Sequence, residues 1–224
     1  SASFVTFRNI STPGNIAFEA PEYWPGGSDE TPITHIADLD GDGRPELMAG
    51  EGSISNSTFN YFWVNHNLST PGNIQFNSGQ GFVNGTVING FDGAKSGDLD
   101  GDGKPELIVS ATQGQTMVIL QNTSLPGQLA FTHSFSKATG QYISNIVIAD
   151  INLDGKNDIL WKKQGVQTFF WLNTDTDGIL TEEDFSTEIT ITGDVGSYGG
   201  MSIVDFNGDN KPDRNEIWSS YFTN

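Results

Sequence analysis

Asp38-Leu39-Asp40-Gly41-Asp42-Gly43-Arg44-Pro45-Glu46 returns almost unchanged as Asp98-Leu99-Asp100-Gly101-Asp102-Gly103-Lys104-Pro105-Glu106. It comes back twice more in weaker form. These copies read Asp150-Ile151-Asn152-Leu153-Asp154-Gly155-Lys156-Asn157-Asp158 and Asp205-Phe206-Asn207-Gly208-Asp209-Asn210-Lys211-Pro212-Asp213. The copies start at 38, 98, 150 and 205, so one local signal marks a structural repeat of about 55 residues. Side-chain oxygens at every second position are also what a hard, oxygen-seeking cation such as Ca2+ requires of a short loop.

Short apolar segments flank each loop, at 33–37, 94–97, 146–149 and 201–204 before it and at 47–50, 107–110, 159–161 and 216–218 after it. Their length and alternation predict strands. A second block recurs at fixed phase, at 7–18, 66–76, 121–131 and 172–180, with Pro-Gly at its centre in three copies and Asp177-Gly178 in the fourth. That is hairpin chemistry, because Gly takes positive φ without penalty. Each unit therefore reads strand, acidic loop, strand, strand, Gly hairpin, strand. Nothing holds a helical period for more than a turn or two. The expected fold is all-β, a β-propeller of four-stranded antiparallel blades in one domain over residues 1–224. Residues 1–20 supply a hairpin half and residues 196–224 an acidic-loop half, so the phase predicts four blades, with the two termini pairing to close one of them.

Composition narrows the function classes. The 224 residues carry a formal net charge of −18 and no cysteine. Such acidity opposes nucleic acid and anionic membranes as partners, and no apolar run is long enough to insert into a bilayer. Disulfides and thiolate metal sites are impossible, which leaves a bound cation as the available staple. An extracellular setting suits this balance.

The four loops resemble the FG-GAP/VCBS repeat family, found in integrin α-chain propellers and in many bacterial surface proteins. Its Asp-x-Asp-x-Asp-Gly-x-x-acid pattern is met in full by the first two copies, and Phe91-Asp92-Gly93-Ala94 is similar to the motif behind the family's name. The resemblance implies Ca2+ in each loop. Side-chain oxygens would come from Asp38, Asp40, Asp42 and Glu46; Asp98, Asp100, Asp102 and Glu106; Asp150, Asn152, Asp154 and Asp158; and Asp205, Asn207, Asp209 and Asp213. Backbone carbonyls would come from Arg44, Lys104, Lys156 and Lys211. Mutual repulsion of these acids predicts loose loops without metal. Leu153 and Asn210 stand where the full motif has Gly, which puts the affinity of the third and fourth sites in question. An EF-hand fails, because its twelfth-position acid is Ala49, Val109 and Trp161 in the first three loops.

No catalytic pair or triad is legible. His35, His66 and His133 are scattered, and the acids outside the loops single out no two partners for glycoside chemistry. Binding is the better reading. Tyr23, Trp24, Phe82, Tyr142 and Tyr198 lie in segments that lead from one unit to the next, where flat amphipathic rings suit sugar stacking or a protein contact. The resemblance therefore implies a secreted or surface module, of bacterial type, binding a glycan in lectin-like fashion. Cell adhesion through a surface protein, or a domain of a polysaccharide-degrading enzyme, are the other two readings.

Overall fold

The computed structural model describes residues 3–25, 34–50, 61–83, 93–111, 115–140, 143–163, 167–190 and 200–216. Sixteen strands and a single 3-10 turn, Glu182–Asp184, account for the regular structure of these residues. Strands β3 (Thr34–Ala37), β4 (Glu46–Gly50), β5 (Tyr61–Asn65) and β6 (Gln80–Val83) form one antiparallel sheet in chain order. Strands β7 (Gly93–Gly97), β8 (Glu106–Ala111), β9 (Thr116–Asn122) and β10 (Phe131–Ala138) form the second. The third consists of β11 (Ile143–Ala149), β12 (Asp158–Lys163), β13 (Thr168–Trp171) and β14 (Ile189–Thr190). Three copies of the predicted unit are thus realised, each with its acidic loop between the first and second strands.

The sheets stack face to face. On β8, Leu107 and Val109 join a buried cluster with Met48, Phe62 and Val64 of the first sheet. The intervening Ile108 faces the other way, toward Ile146, Ile159 and Trp161 of the third. On β12 the same alternation sends Ile159 and Trp161 back to the second sheet and Leu160 forward to Met201. A central sheet buried on both faces explains why these strands read as unbroken apolar runs. Ring contacts reinforce the stack, with Phe62 and Phe82 centroids 5.3 Å apart and Trp161 and Phe169 centroids 4.7 Å apart. First strands approach first strands: β7 lies against β3 and β11, and β11 against β15 (Met201–Val204). That approach is close at Gly97, where an added Cβ would sit 2.6 Å from Ile148 Cγ2.

The expected ring of four blades is corrected by the strand pairing. The described residues form five sheets, and no pairing among them joins the two terminal halves. Instead β1 (Ser3–Thr6) pairs with β2 (Glu22–Pro25) across the first Pro-Gly hairpin, and β15 pairs only with β16 (Asp213–Glu216). The β1–β2 pair packs on the first sheet. Phe4 and Trp24 set their rings edge-on to Phe76 of the first sheet's hairpin, and Asn65 Nδ2 donates to the Pro25 carbonyl at 2.9 Å. This pair is therefore a neighbour of the first sheet. Apolar side chains remain exposed in the terminal segments, including Phe7, Ile16 and Phe18 in the first hairpin and Val204 and Phe206 around the fourth loop.

Candidate metal centre

All four acidic loops follow one backbone path. Gly41, Gly101 and Gly208 hold the fourth position at φ of +75°, +78° and +79°, and Leu153 adopts +64° in the same place. At the sixth position Gly43, Gly103 and Gly155 are matched by Asn210 at +64°. The two departures from the motif thus keep the path and carry the strain of a left-handed L-residue.

The first-position Asp organises each loop. Asp38 Oδ1 accepts from Gly41 N–H and Oδ2 from Gly43 N–H, both at 2.9 Å. Asp98 makes the same two bonds to Gly101 and Gly103, at 2.7 and 3.0 Å. Asp150 and Asp205 reach the sixth-position N–H of Gly155 and Asn210 at 2.9 and 2.8 Å. Backbone N–H groups thus take up part of the repulsion between the acids.

The ninth-position acid opens the next strand, and in the first three loops it is buried. Glu46 and Glu106 each have 0% exposure. Glu106 accepts from Leu99 N–H at 2.7 Å and from Asn122 N–H at 3.3 Å. Asp158 repeats this with Ile151 and Asn173 N–H groups. One carboxylate thus ties the loop to the hairpin of its own sheet. Burial pushes the Glu106 carboxyl up to about 7, against the pull of its two backbone donors. Burial raises Glu46 and Asp158 as well. Asp42 goes the other way, because Arg44 forks onto its Oδ2 and outweighs the cost of burial.

Carboxylate oxygens converge in the first two loops. One oxygen each from Asp38, Asp40 and Asp42 lies within 4.8 Å of the others, and Asp98, Asp100 and Glu106 meet the same condition. Hard anionic oxygens at that separation fit Ca2+. In the third and fourth loops Asn152 and Asn207 take the third position, and among the described residues no such acidic triad forms there. Asn152 Nδ2 instead donates to Asp154 Oδ2 at 2.9 Å. Of the expected carbonyl donors, Arg44, Lys104, Lys156 and Lys211 each give their own N–H to the fifth-position Asp, which fixes the turn. A cleft of roughly 610 Å³ opens between the second and third loops and the hairpin at 175–178, lined by Asp98, Asp100, Asp102, Lys156, Asp175 and Asp177.

The hairpin asparagines, which sequence reading passed over, are the joints of the assembly. Asn122 Nδ2 donates to Pro105 O in its own sheet at 2.9 Å and to Leu39 O in the preceding loop at 2.8 Å. Its Oδ1 accepts from Ser124 N–H at 3.0 Å. Asn173 makes the same three bonds, to Asn157 O, Leu99 O and Asp175 N–H. Their recurrence one residue after His66, Gln121 and Leu172 was the available signal. Also unforeseen is His66, whose Nε2 stands 3.0 Å from Asp40 Oδ2.

The candidate binding aromatics separate. Tyr23 is 69% exposed. Trp24 lies on β2 and not in an open turn; it is half-buried against Phe76, with its N–H donating to Thr6 Oγ1 at 2.9 Å. Phe82 packs between Phe62 and Phe131 in the first core cluster. Both rings are taken up by packing. Tyr142 and Tyr198 lie outside the described residues. Among the described residues no helix is long and apolar enough to cross a membrane.

The sequence model of the family described as FG-GAP-like repeat matches residues 38–109 and again 98–161, more than half of the chain. No curated protein matches it.

Proposed function

The chain belongs to the FG-GAP-like repeat family, and on that premise we propose that it is a calcium-stabilised extracellular binding module built of propeller-type blades. The repeat is generally non-catalytic and typical of extracellular or surface proteins with binding and adhesion roles. One observation carries the calcium reading: two acidic triads, Asp38-Asp40-Asp42 and Asp98-Asp100-Glu106, whose ligand atoms converge within 4.8 Å. The remaining donors would be the carbonyls of Arg44 and Lys104, and the third and fourth loops would hold the ion more weakly through Asn152 and Asn207. Calcium here acts as a staple, because each of the first three loops is tied to the hairpin beside it.

The ligand is proposed to be a glycan, in lectin-like fashion, with Tyr23 as the described ring free to stack. The test is a glycan array with Ca2+ and with chelator, with Tyr23→Ala alongside wild type. Binding that needs both Ca2+ and Tyr23 supports the reading, and an array blank under both conditions refutes it. A calorimetric Ca2+ titration examines the staple, and absence of binding would remove it. A second reading, adhesion to a surface protein, is favoured by Phe7, Ile16 and Phe18, which are 55%, 85% and 55% exposed in the first hairpin. Exposed apolar side chains, where they form a patch, mark protein contacts.

A further inference from the structure

The four loops share a backbone but differ in the side chain that the hairpin turns toward them. The residue before the hairpin asparagine is His66 in the first sheet, Gln121 in the second and Leu172 in the third. Gln121 is satisfied, since its Nε2 donates to Asp100 Oδ2 at 2.9 Å and to Gly178 O at 3.1 Å. His66 is not. Its side chain is only 13% exposed, its Nε2 is buried, and that nitrogen makes no hydrogen bond. It points among three carboxylates, 3.0 Å from Asp40 Oδ2, 3.7 Å from Asp42 Oδ2 and 3.9 Å from Glu46 Oε1. The 3.0 Å approach lies within hydrogen-bond distance but does not meet hydrogen-bond geometry. Ligand atoms of Asp40, Glu46 and His66 all fall within 4.8 Å of one another, and the Asp40 and Glu46 side chains are fully buried.

We propose that the first loop takes a borderline transition-metal cation, Zn2+ being the type, through Asp40, Glu46 and His66. A buried imidazole nitrogen beside two carboxylates is a donor set that Zn2+ favours and Ca2+ does not. Bonds of about 2.1 Å place tetrahedral ligands about 3.4 Å apart, and the observed separations from Nε2 bracket that edge. Three protein ligands leave a fourth position for water. The carboxylates keep lone pairs for the ion: among the described residues Asp40 Oδ2 otherwise accepts the Gly127 N–H at 2.8 Å, and Glu46 Oε1 a long bond from Asn67 N–H at 3.4 Å. The inference uses two acids of a loop read above as a calcium site, but it does not depend on Ca2+ binding there.

The test titrates Zn2+ alone, and then Zn2+ in excess Ca2+, into wild type, His66→Gln and His133→Gln. His66→Gln copies the residue of the second sheet, so folding is retained, and His133 is exposed and lies beside Ser136. The expected result is one Zn2+ per chain that excess Ca2+ does not displace. Affinity should fall at least about tenfold in His66→Gln and stay unchanged in His133→Gln. A Zn2+-induced shift of the His66 imidazole 15N resonance gives a readout that a packing role would not move. Equal Zn2+ affinity in His66→Gln, or no Zn2+ bound by wild type, overturns the proposal. Ca2+ titration of the same proteins keeps the two readings apart. Ca2+ binding without Zn2+ binding sinks this inference alone, whereas Zn2+ binding without Ca2+ sinks the calcium reading and leaves this one standing.

Discussion

Replacing Asn122 with Ala should destabilise the protein more than the same change at Asn67, although both asparagines hold the same place in their hairpins. Asn122 is 2% exposed and bonds Leu39 O, Pro105 O and Ser124 N–H. Among the described residues, the Asn67 side chain bonds Pro45 O and Ser69 N–H. A lost hydrogen bond costs about 1 kcal/mol net, and a carbonyl left buried without a donor costs up to about 3. Asn122→Ala should therefore cost about 3–5 kcal/mol and Asn67→Ala about 2. Asn173→Ala, which removes a bond to Leu99 O at 2.6 Å, should match Asn122→Ala. The shape-conserving Asn122→Asp should be at least as harmful, since it aims an oxygen at two carbonyls. Urea unfolding followed by the fluorescence of buried Trp161 and Trp171 measures each cost. Leu39 lies inside the first acidic loop, so Asn122→Ala should also weaken Ca2+ binding there without touching a ligand. A cost for Asn122→Ala no larger than that for Asn67→Ala would refute the idea that this residue joins one sheet to the next.

In chelator, the buried Glu106 carboxyl is raised from 4.5 to about 7, so its contribution to stability is complete below about pH 4.5 and is lost as pH rises through 7. Ca2+ needs the ionised form and should flatten that loss; melting curves against pH for wild type and Glu106→Gln test it, and parallel curves in chelator would contradict it. Gly97→Ala should cost about 1–3 kcal/mol, because its Cβ would meet Ile148 Cγ2 at 2.6 Å. Pairing it with Ile148→Ala should recover part of the loss in a double-mutant cycle, whereas full additivity would place the strain elsewhere. Leu153→Gly should stabilise by about 0.5–1 kcal/mol by relieving φ of +64° at a half-exposed loop residue, and a denaturation midpoint that falls would show that the leucine packs usefully.

The repeat was legible because its chemistry is local. Alternating acids, glycines at positive φ and Pro-Gly pairs each act within a few residues, and around the first three loops the strands fell where the flanking apolar segments placed them. Even Leu153 and Asn210, which break the motif, hold the motif's path. The order of the hydrogen bonds within the loops was less visible: the same oxygens that suggested repulsion are quieted by backbone N–H groups such as those of Gly41 and Gly43. Trp24 and Phe82 read as surface rings because prolines and glycines surround them in sequence, yet each finds an aromatic partner far along the chain in Phe76, Phe62 and Phe131.

The sequence by itself determined a four-stranded unit, its repetition, the acid-rich loop and the family. Tertiary structure alone decided which units touch and what the touching creates. Period-two alternation states that a strand has two faces, but only stacking shows that Ile108 and Val109 serve different neighbours. Closure of the ring depended on edges separated by the whole chain, and no pairing among the described residues joins them. His66 looked like one of three scattered histidines because the carboxylate nearest to it, Asp40, lies 26 residues away in sequence and 3.0 Å away in space. Ligand chemistry follows distances in space, and a sequence records only distances along the chain.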